Sequence, residues 1–120
     1  MACPACMAPI ATSPIVSPGV VVGARTTIEP QVVLGRGVLV GHHTDIGSFV
    51  TINPGANVAG NVVVGADVFI GLGAVVRDHV EVGVSALVAA GAVVVGNVES
   101  GTEVRGVPAR AADPDRDRVL

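Results

Sequence analysis

The sequence predicts an all-β fold, a parallel β-helix of triangular cross-section with about five coils. Three observations carry that prediction. Read from Ile15 in blocks of six, the chain runs IVSPGV, VVGART, TIEPQV, VLGRGV and onward to VVVGNV, ending at Val98, without one insertion. The second position of every block is a branched aliphatic, from Val16 and Val22 to Val88 and Val94. Aromatic side chains are nearly missing, with only Phe49 and Phe69 and no Trp or Tyr, whereas Val, Ala and Gly dominate. A layered globular core is not built from that mixture.

Each block reads as one short strand and one corner. The second position and the sixth, which is Val, Thr or Ala, point inward; in Val38 and Val40 two inward residues flank one outward residue, the buried face of a strand. Helical spacing of three and four is not present. Gly follows the aliphatic at Gly23, Gly35, Gly41, Gly47, Gly65, Gly71 and Gly83, where the missing Cβ is expected to permit a sharp turn between faces. Three blocks complete a coil, so residues three blocks apart stack at the strand spacing of about 4.8 Å. This rule generates three internal columns, headed by Val16, Val22 and Ile28. The expected division is an N-terminal tail over 1–14, the β-helix over 15–98, and a C-terminal segment over 99–120 that carries GVPAR and ends in a tail. Met1 to Ser13 and Asp113 to Leu120 do not follow the repeat and are expected to be poorly ordered.

Composition excludes several classes of function. The net charge of −3 includes no basic stripe, so nucleic acid is not an expected partner. The longest apolar stretch, Val84 to Val95, is interrupted by Ser85 and Gly91 and is shorter than the roughly 18 residues of a membrane span. No membrane association is expected, and without a signal-peptide pattern a cytoplasmic location is. Cys3 and Cys6 form a single CPAC; a zinc site takes about four ligands, so a reduced pair in a tail is the expectation, and no metal.

With the inward positions filled by aliphatics, chemistry falls to outward and corner residues. The histidines are His42, His43 and His79, and two of them are adjacent at a predicted corner beside Thr44 and Asp45. The run GHHTDIGSFVTINPGANVAGNVVVGADVFIGLGAVV, with the later RGVPAR, resembles the sugar O- and N-acetyltransferases of bacterial sialic acid, bacillosamine and perosamine pathways. That resemblance covers nearly all of Ile15 to Arg110. It implies a left-handed coil, a homotrimer, acetyl-CoA as co-substrate, and transfer of an acetyl group to an amine or hydroxyl of a sugar or sugar nucleotide. It also implies that His42, five residues before the glycine of Ile46-Gly47, is the general base, and that Gly60, Leu72 and Ala90 contact acetyl-CoA.

The stacking rule bears on the same residues. Gly60 lies three blocks after His42 and so occupies the next rung of one corner. Pro54, Leu72, Ala90 and Pro108 share the spacing and are expected to form a column at a different corner, along which a pantetheine arm can lie. Two subunits side by side bring the two corners together, which a closed trimer achieves three times over.

The chain departs from the family in three respects. The residue after the base is acidic in the family and here is His43, which we keep with His42 as a catalytic candidate; Asp45 or Asp78 are alternative carboxylates. A second histidine that contacts the cofactor in the family corresponds to Thr51. The nucleotide-sugar-binding domain that usually precedes the β-helix has no expected counterpart, which leaves the acceptor open. Two other readings share the fold. One is a non-catalytic trimeric scaffold, and the other is a γ-carbonic-anhydrase-like enzyme, which the histidine spacing disfavours.

Overall fold

The structure, a computed structural model, describes residues 14–111. The expectations for Cys3 and Cys6 and for the tails Met1 to Ser13 and Asp113 to Leu120 lie outside the described residues. Fourteen two-residue strands recur once per block, from β1 (Ile15–Val16) to β14 (Val93–Val94), and two more follow, β15 (Glu103–Arg105) and β16 (Arg110–Ala111). The chain winds as a left-handed parallel β-helix with three faces. They are parallel ladders with one strand contributed per coil, and the partner stands three blocks further along the chain: Val16 pairs with Leu34, Val22 with Val40, and Ile28 with Ile46.

The interior is formed by the second and sixth positions, as the alternation requires. Ile28, Leu34, Ile46, Ile52 and Ile70 are fully buried, and Val20, Val32, Val38 and Val50 fill the corners between them. At about 1.5–3 kcal/mol for each large aliphatic taken out of water, these columns supply the main driving force for coiling. Thr26 and Thr44 are the buried polar residues of the described chain.

The glycines require a correction. Those after the aliphatic are not the turning residues; left-handed backbone falls two positions later, at Gly19, Gly37, Gly55, Gly73 and Gly91 on one corner and at non-glycine residues such as His43, Asn61 and His79 on another. What the earlier glycines supply is close approach. A Cβ on Gly41 would stand 2.5 Å from the nitrogen of Gly60, and one on Gly71 would stand 2.5 Å from the nitrogen of Ala90. Coils a strand spacing apart leave no room there for a side chain.

The last coil also differs from the repeat. Leu87 and Val88 pair with Glu103 and Val104, whereas the full period would bring in Arg105 and Gly106. The shortening comes out of the corner between Val94 and Val98, where Val98 bridges to Val82. Asn97 bends its carboxamide oxygen in to accept from the Glu81 N–H at 2.9 Å, in place of a backbone carbonyl. Continuing the shortened register puts Gly106, not Pro108, on the rung above Ala90, so the expected column ends at Ala90. Pro108 sits instead in the turn that joins β15 to its antiparallel partner β16.

Candidate active site

Two corners matter, at opposite ends of the face that carries Val22, Val40, Val58, Val76 and Val94. One is the corner of Gly41, His42, His43 and Thr44. The other holds Pro54, Leu72 and Ala90.

At the first corner the chain leaves Val40 inward, exposes His42 and His43, and turns Thr44 back into the core. His43 adopts left-handed backbone at φ 56°, a region in which histidine is enriched among non-glycine residues. That turn swings its ring edge-on to His42, with centroids 5.1 Å apart and the Nδ1 atoms at 2.9 Å. Such a contact requires one Nδ1 to carry a proton and the other to accept it. The opposite edge of the His42 ring lies over the next coil. A Cβ on Gly60 would stand 3.0 Å from His42 Nε2 and 3.1 Å from Cε1. Glycine at position 60 is therefore what admits the imidazole. The Gly60 N–H donates to no acceptor among the described residues, although its carbonyl accepts from His79 N–H one coil on.

Neither carboxylate considered for His42 reaches it. Asp45 is exposed on the neighbouring face. Asp78 Oδ2 accepts from His79 Nδ1 at 2.9 Å, and Arg77 Nε stands 3.7 Å from its other oxygen. The hydrogen bond from His79 holds the Asp78 carboxyl below its ordinary range, and the positive charges of His79 and Arg77 add to this against an opposing effect of desolvation. His43 is the residue that engages His42. Among the described residues no three His, Cys, Asp or Glu side chains gather as a metal site, and no helix is long and apolar enough to cross a membrane.

The second corner is built differently. Its turns close on themselves, with Val38 N–H donating to Gly35 carbonyl and Ala74 N–H to Gly71 carbonyl. With Gly at the third residue of each turn this is the type II pattern, seen most plainly in Asn53-Pro54-Gly55-Ala56. The glycines leave the corner bare, and Leu72 projects from it into solvent. Beside it lies an apolar hollow of about 180 Å³ lined by Asn53, Phe69, Leu72, Leu87, Ala89 and Ala90. Thr51 pairs with Phe69 on the adjoining face, one coil below Phe69 and on the coil that carries Asn53. The six candidate residues thus divide into two groups: His42, His43 and Gly60 meet at one corner, while Thr51, Leu72 and Ala90 lie around the other. Sequence reasoning missed Asn53, Phe69 and Leu87. Asn53 stands where other blocks carry glycine, and its Nδ2 is tied to the Ile70 carbonyl at 2.8 Å.

No family model and no curated protein matches the chain. Solved structures do. PerB from Caulobacter crescentus, seen in complex with CoA and GDP-perosamine, is 29% identical with a TM-score of 0.89 over 93% of this chain and 53% of its own. WeeI from Acinetobacter baumannii AYE is 30% identical with a TM-score of 0.86, covering 88% of this chain and 52% of its own. The acetyltransferase domain of PglB from Neisseria gonorrhoeae FA1090, also seen with acetyl coenzyme A, is 34% identical with a TM-score of 0.59 over 88% of this chain and 54% of its own. The chain spans about half the length of these proteins. It is a left-handed β-helix of hexapeptide repeats related to the perosamine- and bacillosamine-type sugar acetyltransferases.

Proposed function

We propose that the chain is an acetyl-CoA-dependent acetyltransferase that acts on an amine or hydroxyl of a sugar or sugar nucleotide. The observation that carries the reading is the His42 ring, held at Nδ1 by His43 and laid with its Nε2 edge against Gly60. With the Nδ1 proton directed to His43, Nε2 is left as a free base. It takes a proton from the acceptor as the acceptor nitrogen or oxygen attacks the thioester carbonyl. The Gly60 N–H, without an acceptor among the described residues, receives the oxyanion that forms. Collapse of the tetrahedral adduct breaks the C–S bond, and the proton on His42 passes to the departing thiolate. No covalent intermediate with the protein is needed.

The cofactor lies along the bare second corner, with Leu72 and Ala90 and the hollow beside them against its pantetheine arm and Thr51 one coil below Phe69. Because this corner and His42 stand at opposite ends of one face, a site that needs both is completed by a second subunit. The outward residues of the intervening face include Val21, Leu39 and Val75, all exposed aliphatics, which suits burial in a homotrimer. A cytoplasmic location, where acetyl-CoA is available, accompanies this reading.

Calorimetry with acetyl-CoA and turnover against amino-sugar nucleotides, sialic acids and simple amines test the proposal together. The wild-type chain should bind acetyl-CoA and release CoA with at least one acceptor. His42→Ala should bind the cofactor and not turn over. A chain that binds no acetyl-CoA is a scaffold instead.

A further inference from the structure

Thr26 and Thr44, the buried polar residues of the described core, stack on successive coils beneath the His42 corner. Each sends its hydroxyl to a corner carbonyl one coil further on. Thr26 Oγ1 donates to Gly41 O at 2.7 Å, and Thr44 Oγ1 donates to Ala59 O at 3.1 Å. Thr44 N–H in turn lies 3.4 Å from Thr26 Oγ1, which ties the two together.

Thr44 Oγ1 also stands 3.4 Å from His42 O on its own coil, farther than from Ala59 O, so Ala59 is its principal acceptor. Gly41 C=O belongs to the peptide unit whose nitrogen is that of His42, and Ala59 C=O to the unit whose nitrogen is that of Gly60. In a trans peptide the C=O and N–H point in opposite directions. A carbonyl drawn to a buried hydroxyl therefore turns its N–H away from the core, and neither the His42 nor the Gly60 N–H donates to a backbone acceptor among the described residues. At the Leu72 corner the corresponding carbonyls are held by their own turns, as in Ala74 N–H to Gly71 O. The His42 corner has no such turn bond, and the threonine hydroxyl takes its place. In the following coils the stacked positions are Val62 and Val80, both buried aliphatics. The hydroxyls thus reach only the two rungs that present His42 and Gly60.

We infer that Thr26 and Thr44 are positioning residues that fix, from inside the coil, the two peptide units on which acetyl transfer depends: Thr26 sets the backbone that carries His42, and Thr44 aims and polarises the Gly60 N–H. This rests on the reading of His42 and Gly60 given above. A hydrogen bond to a carbonyl polarises the N–H of the same unit, which makes it a better donor to an oxyanion.

Thr44→Val and Thr44→Ser separate this role from simple packing, since valine already occupies the same column at Val62 and Val80. Thr44→Val should stay folded, lower kcat by about tenfold, a fraction of the loss of a whole oxyanion donor, and leave the KM for acetyl-CoA unchanged. Its Gly60 amide proton should move to higher field in a ¹H–¹⁵N spectrum. Thr44→Ser should restore both kcat and the amide position. A folded Thr44→Val with wild-type kcat, or with an unmoved Gly60 amide, overturns the inference. A wild-type chain without turnover strikes down the functional reading instead, and the Gly60 amide then decides by itself whether Thr44 orients that peptide.

Discussion

His42 and His43 meet through like atoms, Nδ1 to Nδ1, at 2.9 Å. A neutral imidazole offers one donor and one acceptor, so this contact links the tautomers of the two rings. If His42 is the base through Nε2, His43 must accept at Nδ1 and carry its own proton on Nε2. His43 thereby orients the base as a carboxylate would, but supplies no negative charge to the imidazolium formed during transfer.

His43→Gly is the informative variant. It removes the acceptor and relieves a left-handed backbone that glycine adopts freely. Thermal stability should be equal to or above wild type while kcat falls by about tenfold, below the usual range for a whole general base. Loss of stability in parallel with activity would show that His43 serves the fold and not the base.

The division of the site between two corners predicts complementation between inactive variants. His42→Ala lacks the base, and Ala90→Trp fills the cofactor strip; both positions lie on the outside of the coil, and both variants should fold. Refolded together at equal ratio, they should recover roughly a quarter of wild-type activity, because a closed trimer with shared sites pairs two intact halves at that frequency. Mixed trimers seen by mass spectrometry but without activity would place the whole site in one subunit.

Two glycine classes should respond in opposite ways to substitution. Gly41→Ala forces a Cβ to within 2.5 Å of the backbone of the next coil, and should destabilise the protein by about 3 kcal/mol or more through strain in a packed ladder. Gly73→Asn meets nothing within 4 Å at φ +66°, and asparagine accepts left-handed backbone, so the cost should stay near or below about 1 kcal/mol. Denaturant melts of both variants decide the matter, and equal losses would refute the distinction.

Asp78 carries the pH-dependent prediction. Its carboxyl is held below the ordinary value of 3.8 chiefly by the hydrogen bond from His79. A carboxylate with a depressed folded-state value contributes stability above its unfolded value and loses it as pH falls through the folded one. Because the pair is exposed, that contribution is small, and the carboxyl itself is the better probe. Its NMR titration midpoint should lie below 3.8 and rise in His79→Ala. An unchanged midpoint in the variant would assign the depression to another cause.

The coil itself was legible in the residues. With no insertion between Ile15 and Val98, the period of six sets which residues face inward, because side chains alternate along a strand, and the three sides per coil that hexapeptide-repeat proteins share set which residues stack. That was sufficient to put His42 beside Gly60 and to separate both from Leu72 and Ala90. Whatever depends on contact between coils had to wait for the packed molecule. The glycines at Gly41 and Gly71 serve close approach, and only the assembled ladder shows which backbone a Cβ would strike. The shortened coil that displaces Pro108 follows from pairing between Val88 and Val104, which a strict repeat does not foresee. The partner of His42 was settled by ring orientation at a left-handed residue, and the hydroxyls of Thr26 and Thr44 found their carbonyls only when the next coil was laid over them.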